Sequence, residues 1–117
     1  MKYLCLIYGV ENVVQAMPVP DIQKLMGEYN AFTESIKQSG QWVSGERLRP
    51  VHSATTVRVR DGKTSTTDGP FAETKEQLGG FYMIEARDLN DAIQVASRIP
   101  SARWGSIEVR PVWEMTG

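Results

Sequence analysis

Asp68, Glu73, Lys75 and Glu76 fall within one short run, Asp68-Gly69-Pro70-Phe71-Ala72-Glu73-Thr74-Lys75-Glu76, built around a Gly-Pro turn. Loops that combine strict turn chemistry with clustered charge are more often sites than spacers. Proline fixes its own φ and biases the residue before it to an extended form, so Asp68 leaves the preceding strand on a stiff segment. A carboxylate held in this way can accept a proton or hold a substrate hydroxyl when its surroundings raise its pKa. It can equally close an Asx turn by bonding nearby backbone amides. Phe71 is expected to anchor the loop on the body of the protein. Glu73 to Glu76 read as one helical turn or a tight loop. They form either a solvated charge cluster or the polar rim of a pocket in which Lys75 attracts an anionic ligand.

Further candidates lie outside this run. Glu108 and Arg110 share one face of the last strand, and the guanidinium fork of Arg110 can clamp a carboxylate, either a ligand's or that of Asp68 or Glu73. The alternative is a structural ion pair. His52, the one side chain with an ordinary pKa near neutrality, sits in a proline-containing loop. Tyr29 falls on the apolar stripe of a helix, with its hydroxyl placed to reach a cleft edge. Asp68 and Arg110 are therefore the candidate catalytic pair. Glu73, Lys75, Glu76, Glu108, Tyr29 and His52 are candidate substrate contacts.

Composition removes several function classes. One His and one Cys cannot build a Cys/His zinc site. The chain has no glycine-rich phosphate loop or dinucleotide fingerprint, and no nucleophile elbow accompanies His52. No metal and no cofactor is expected. A net charge of −1 argues against direct nucleic-acid binding. The apolar run from Lys2 to Tyr8 is too short for a signal segment or a bilayer span, so no membrane partner and a cytoplasmic location are expected. Cys5, alone and mid-strand, reads as an inert core thiol.

The elements that must position these side chains are legible from periodicity. With 117 residues and no repeat or linker, one domain over residues 1–117 is expected. Lys2 to Tyr8 has apolar residues at both parities, as in a central strand. Glu11 to Pro20 reads as a loop. From Asp21 to Ser39, Ile22, Leu25, Met26, Tyr29, Phe32 and Ile36 recur at helical spacing, and Gly40 suits the C-terminal cap. A second strand covers about Gln41 to Leu48, with Trp42, Ser44, Glu46 and Leu48 on one parity. Thr55 to Arg60 alternates strictly before Asp61-Gly62, a type I′ hairpin signal. Arg60 should then face Lys63 and Arg58 face Ser65, with Val57 and Val59 toward the core. A strand from Gly80 to Ala86 follows the charged loop. A helix capped by Asp88 or Asn90 carries Leu89, Ala92, Ile93, Ala96 and Ile99 as its apolar stripe. The last strand runs from about Ser106 to Trp113. The order β-α-β, hairpin, β-α-β gives an α+β, ferredoxin-like plan with both helices on one face of a mostly antiparallel sheet. The other face would be a large apolar patch unless a second copy covers it, so a homodimer is expected.

The motif Asp68 to Glu76, followed by Leu78-Gly79-Gly80-Phe81-Tyr82, resembles the DGPF-motif branch of the YCII-related proteins. The resemblance extends to Ala54-Thr55-Thr56-Val57-Arg58 with Asp61-Gly62-Lys63, to Asp91-Ala92 and Pro100, and to Gly105 through Val112. It covers essentially the whole chain. It implies a dimeric α+β barrel of ferredoxin-like protomers with a cleft near the central motif. It supplies no established reaction. The wider family's suspected His-Asp pair has no counterpart here, because Tyr29 and Asn30 stand where that pattern carries its histidine. Two functions follow as expectations. One is a small-molecule binder or cofactor-free acid/base enzyme acting on a small anionic or polar ligand near the dimer interface. The other is a non-catalytic accessory module linked to an extracytoplasmic-function sigma factor, which the branch's resemblance to sigma-factor-associated proteins suggests.

Overall fold

The first strand determines the rest of the architecture. A computed structural model describes residues 1–115. In it, β1 (Lys2–Gly9) lies inside a four-stranded antiparallel sheet with β2 (Trp42–Arg47), β5 (Gln77–Glu85) and β6 (Ser106–Pro111), in the order β2-β5-β1-β6. Two long connections carry helices, α2 (Val19–Gln38) and α3 (Leu89–Ser97), and both pack on the same face. This is the α+β, ferredoxin-like arrangement expected from the sequence.

Registry sorts the sheet into cross-strand rows. Gly45, Tyr82, Cys5 and Val109 form one row on the helix side, and Arg47, Gly80, Ile7 and Ile107 form the next. The rows that alternate with them, Glu46-Phe81-Leu6-Glu108 and Ser44-Met83-Leu4-Arg110, point to the helix-free side. Phe32 and Ile36 of α2 and Ala92, Val95 and Ala96 of α3 close over Tyr3, Cys5, Tyr82 and Ile84 to make the core. Phe32 meets the Tyr82 ring edge-on at 5.1 Å, a favoured aromatic geometry. Cys5 is fully buried within it, and burial pushes its thiol up to about 11.

Local signals act as expected at several boundaries. Gly40 follows α2 with φ of 78°, the left-handed conformation that glycine adopts without a Cβ clash. The Asp88 carboxylate accepts from the Asp91 amide at 2.9 Å and so caps α3. In the hairpin of β3 (Thr55–Arg60) and β4 (Lys63–Asp68), Arg60 pairs with Lys63 and Arg58 with Ser65. Asp61 and Gly62 take φ of 52° and 73°, which is the type I′ turn.

Four expectations are corrected. The segment after β1 is not all loop, since Glu11–Gln15 forms a short helix, α1, and α2 begins at Val19. The register of β2 slips between Trp42 and Ser44. This bulge turns Trp42 to the same face as Gly45 and Arg47 rather than that of Ser44 and Glu46. On α3 the buried positions are Ala92, Val95 and Ala96, while Leu89 and Ile93 are about half exposed. Finally, β3 and β4 form a two-stranded sheet of their own, leaving Val57 and Val59 60% and 57% exposed instead of core. The projecting hairpin accounts for a radius of gyration of 16.3 Å, against roughly 13 Å for a compact domain of this length. No helix among the described residues is long and apolar enough to cross a membrane.

Candidate functional site

The helix side of the sheet is filled at one end and hollow at the other. Where Tyr82, Cys5 and Ile84 stand on the sheet, α2 sets Phe32 and Ile36 against them. Over the preceding turns, α2 offers Ile22, Leu25, Met26 and Tyr29, but the sheet beneath carries Gly45 and Gly80. A Cβ on Gly80 would come within 2.8 Å of the Glu46 carbonyl oxygen, and one on Gly45 within 2.9 Å of the Tyr82 ring. Close packing of strand and ring therefore requires bare backbone at these positions. A chamber of about 420 Å³ lies between the α1–α2 segment and the sheet, with both glycines in its lining. That volume lies within the usual range for small-molecule sites.

The chamber has apolar walls and a few aimed polar groups. Tyr29 and Ser101 share a hydrogen bond, as do Thr33 and Tyr82 at 2.8 Å. Burial pushes the Tyr29 hydroxyl above the ordinary phenol value, with a smaller push from Tyr82; the Ser101 bond and the Arg47 charge pull the other way. Burial likewise raises Tyr82, against the bond from Thr33. At neutral pH both phenols are protonated, so they act as hydrogen-bond donors and acceptors rather than as bases. The lining includes two carboxylates. Glu11 accepts from the Val51 amide at 2.9 Å, and Glu46 stands across from Phe81 on the helix-free face. The chamber of a single chain is thus equipped to hold a molecule and orient a polar group on it, and its lining includes no imidazole.

The residues expected from the sequence divide between three places. Tyr29 lines the chamber, with its hydroxyl bonded to the buried Ser101. Lys75, Glu76 and Glu108 line a shallow depression beside Tyr8, Ser106 and Ile107 on the outside of the sheet, where Ser106 donates to Glu76 at 2.7 Å. Arg110 pairs with Glu108 along its own strand on that face. Asp68, Glu73 and His52 are exposed and line neither cavity. Asp68 ends β4 opposite Thr55, and its carboxylate makes no hydrogen bond among the described residues. The turn is held instead by backbone, with the Gly69 amide donating to Ala54 at 2.8 Å and Thr56 donating to the Gly69 carbonyl at 2.9 Å. Glu73 to Glu76 form a loop, tied by a bond from the Thr74 hydroxyl to the Glu76 carbonyl. Phe71 does not anchor this loop to the body. It is 79% exposed, and its ring meets Arg58 of the hairpin, 5.6 Å from guanidinium to ring centre.

The YCII-related domain matches residues 1–116 of the chain. The chain belongs to the YCII-related family. An uncharacterised protein of Rhizobium meliloti (strain 1021) is 38% identical over 114 residues, covering 96% of this chain and 92% of the relative. Family membership thus comes without a reaction attached.

In this YCII-related chain, sequence reasoning missed Arg47, Ser101, Thr33 and Tyr82 as site residues. The bulge at Val43 hid the face on which Arg47 lies. Ser101, the one buried polar residue among those described, meets Tyr29 from 72 residues away. Its available signal was a serine directly after Ile99-Pro100 at a helix exit.

Proposed function

We propose that this YCII-related protein binds a small molecule in the chamber beneath α1 and α2, and that it works as a homodimer. The observation that carries the binding reading is the chamber itself: an apolar hollow with Gly45 and Gly80 in its lining, furnished with two hydroxyl pairs. Binding is favoured over acid/base catalysis because the chamber's phenols are protonated, Glu46 is turned to the other face, and Glu11 is tied to the Val51 amide through one oxygen. Asp68 and Arg110 enter such a site only as contributions from a second copy, since neither lines the chamber of its own chain. Support for dimerisation comes from the uncovered Leu4, Leu6, Phe81 and Met83 face and from the projecting hairpin, because an isolated two-stranded ribbon is marginal in water.

Titration with N-phenyl-1-naphthylamine, a neutral fluorescent ring compound, tests this reading. Saturable binding is expected, and Ile22→Trp, which fills the chamber from α2, should abolish it while the melting transition persists. Fluorescence that never saturates, or saturation indifferent to Ile22→Trp, overturns the proposal. The sigma-factor-linked accessory reading draws on the same exposed Val57, Val59 and Phe71. It gains if the isolated protein is monomeric, with that apolar arm still uncovered.

A further inference from the structure

Resting on the chamber reading, we infer that the ligand is an anion with an apolar ring body, its carboxylate or comparable acidic group held by Arg47 at the chamber mouth. The bulge in β2 places Arg47 across from Gly80, on the helix side of the sheet. Arg47 is the one cationic side chain in the lining. No carboxylate lies within 4 Å of it among the described residues, and its recorded side-chain contact is Nη1 to the Met26 sulfur at 3.8 Å. A thioether is a weak acceptor, so the guanidinium has its donor fork free for an anion.

Neither carboxylate of the lining forms an ion pair with it. Glu11 is held by the Val51 amide, and Glu46 lies on the opposite face of the sheet. The Arg47 charge also reaches Tyr29, whose hydroxyl it favours in the ionised direction. This places cation and phenol around one space. A ligand lying between them would set its acidic group on Arg47 and its rings against Ile22, Leu25, Met26 and Trp104. A ring hydroxyl or carbonyl would then meet the Tyr29–Ser101 pair.

A matched probe pair tests the charge separately from the cavity. 1-Anilinonaphthalene-8-sulfonate and N-phenyl-1-naphthylamine share one ring skeleton and differ by the sulfonate. The anionic probe is expected to bind roughly tenfold tighter or better, the scale of a charge-assisted hydrogen bond. Arg47→Gln should remove that preference, and Arg47→Lys should restore part of it. Equal binding of the two probes, or a preference that survives Arg47→Gln, overturns the anion assignment while leaving the chamber as a site. Failure of both probes to bind overturns the chamber reading as well.

Discussion

The four-stranded body and the β3–β4 arm follow the same strand rules to opposite ends. In the body, alternation puts Tyr3, Cys5, Tyr82 and Ile84 under two helices, and Cys5, Ile36, Ile84 and Ile99 are essentially sealed from water. In the arm, alternation is just as regular, yet all of β4 is exposed and Val57 and Val59 face nothing within their own chain. The difference lies in what stands behind the strand. An alternating pattern specifies a two-faced ribbon and does not say which surface will cover its apolar side. The body supplies that surface from its own helices. The arm presents Val57 and Val59 on a side that no element of its own chain covers, while Phe71 meets Arg58 of the other side.

The largest expected effect breaks this comparison directly. Val57→Asp combined with Val59→Asp would bury two unpaired charges in any surface docked on the arm. The proposed dimer should weaken by about 100-fold or more, as read by sedimentation equilibrium, with the urea midpoint of the monomer retained. A dimer of undiminished affinity would show that the arm plays no part in assembly. Next in size is Gly105→Ala in the body. A Cβ there would sit 2.2 Å from the Tyr8 carbonyl oxygen, so stability measured in urea should fall by roughly 2–3 kcal/mol. A neutral result would mean that the body is looser than its packing implies. The smallest is Gly27→Ala on the outer side of α2, where an added Cβ meets nothing within 4 Å. Relief of a mid-helix glycine should add about 0.5–1 kcal/mol, and a loss would point to something covering that side of the helix.

The parts legible in the sequence were those fixed by local chemistry. Asp61-Gly62 with strict alternation yields the hairpin register residue for residue, and the apolar stripe from Ile22 to Ile36 yields α2 and its buried side. Tyr29 falls on that stripe, and in the structure it lines the chamber. Features arising from the absence of a side chain or from distant pairing were not legible. The chamber is lined by Gly45 and Gly80, which stand opposite Tyr82 and Arg47 on neighbouring strands, and that pairing is announced by no periodicity. The conspicuous charge around Asp68 and Glu73 drew attention to the outside of the molecule. Meanwhile the polar groups of the hollow, Ser101 and Thr33, are common residue types that become informative only when a buried tyrosine meets each of them.

The sealed position of Cys5 has a practical consequence. It is the single thiol of the chain, in the middle of a central strand, with burial suppressing its ionisation. An alkylating reagent can reach it only when β1 separates from its neighbours, so the speed of labelling becomes a clock for cooperative opening of the whole sheet. The protein thus carries a native reporter in its own fold, against which an occupant of the hollow can be detected without tag, dye or assay of turnover.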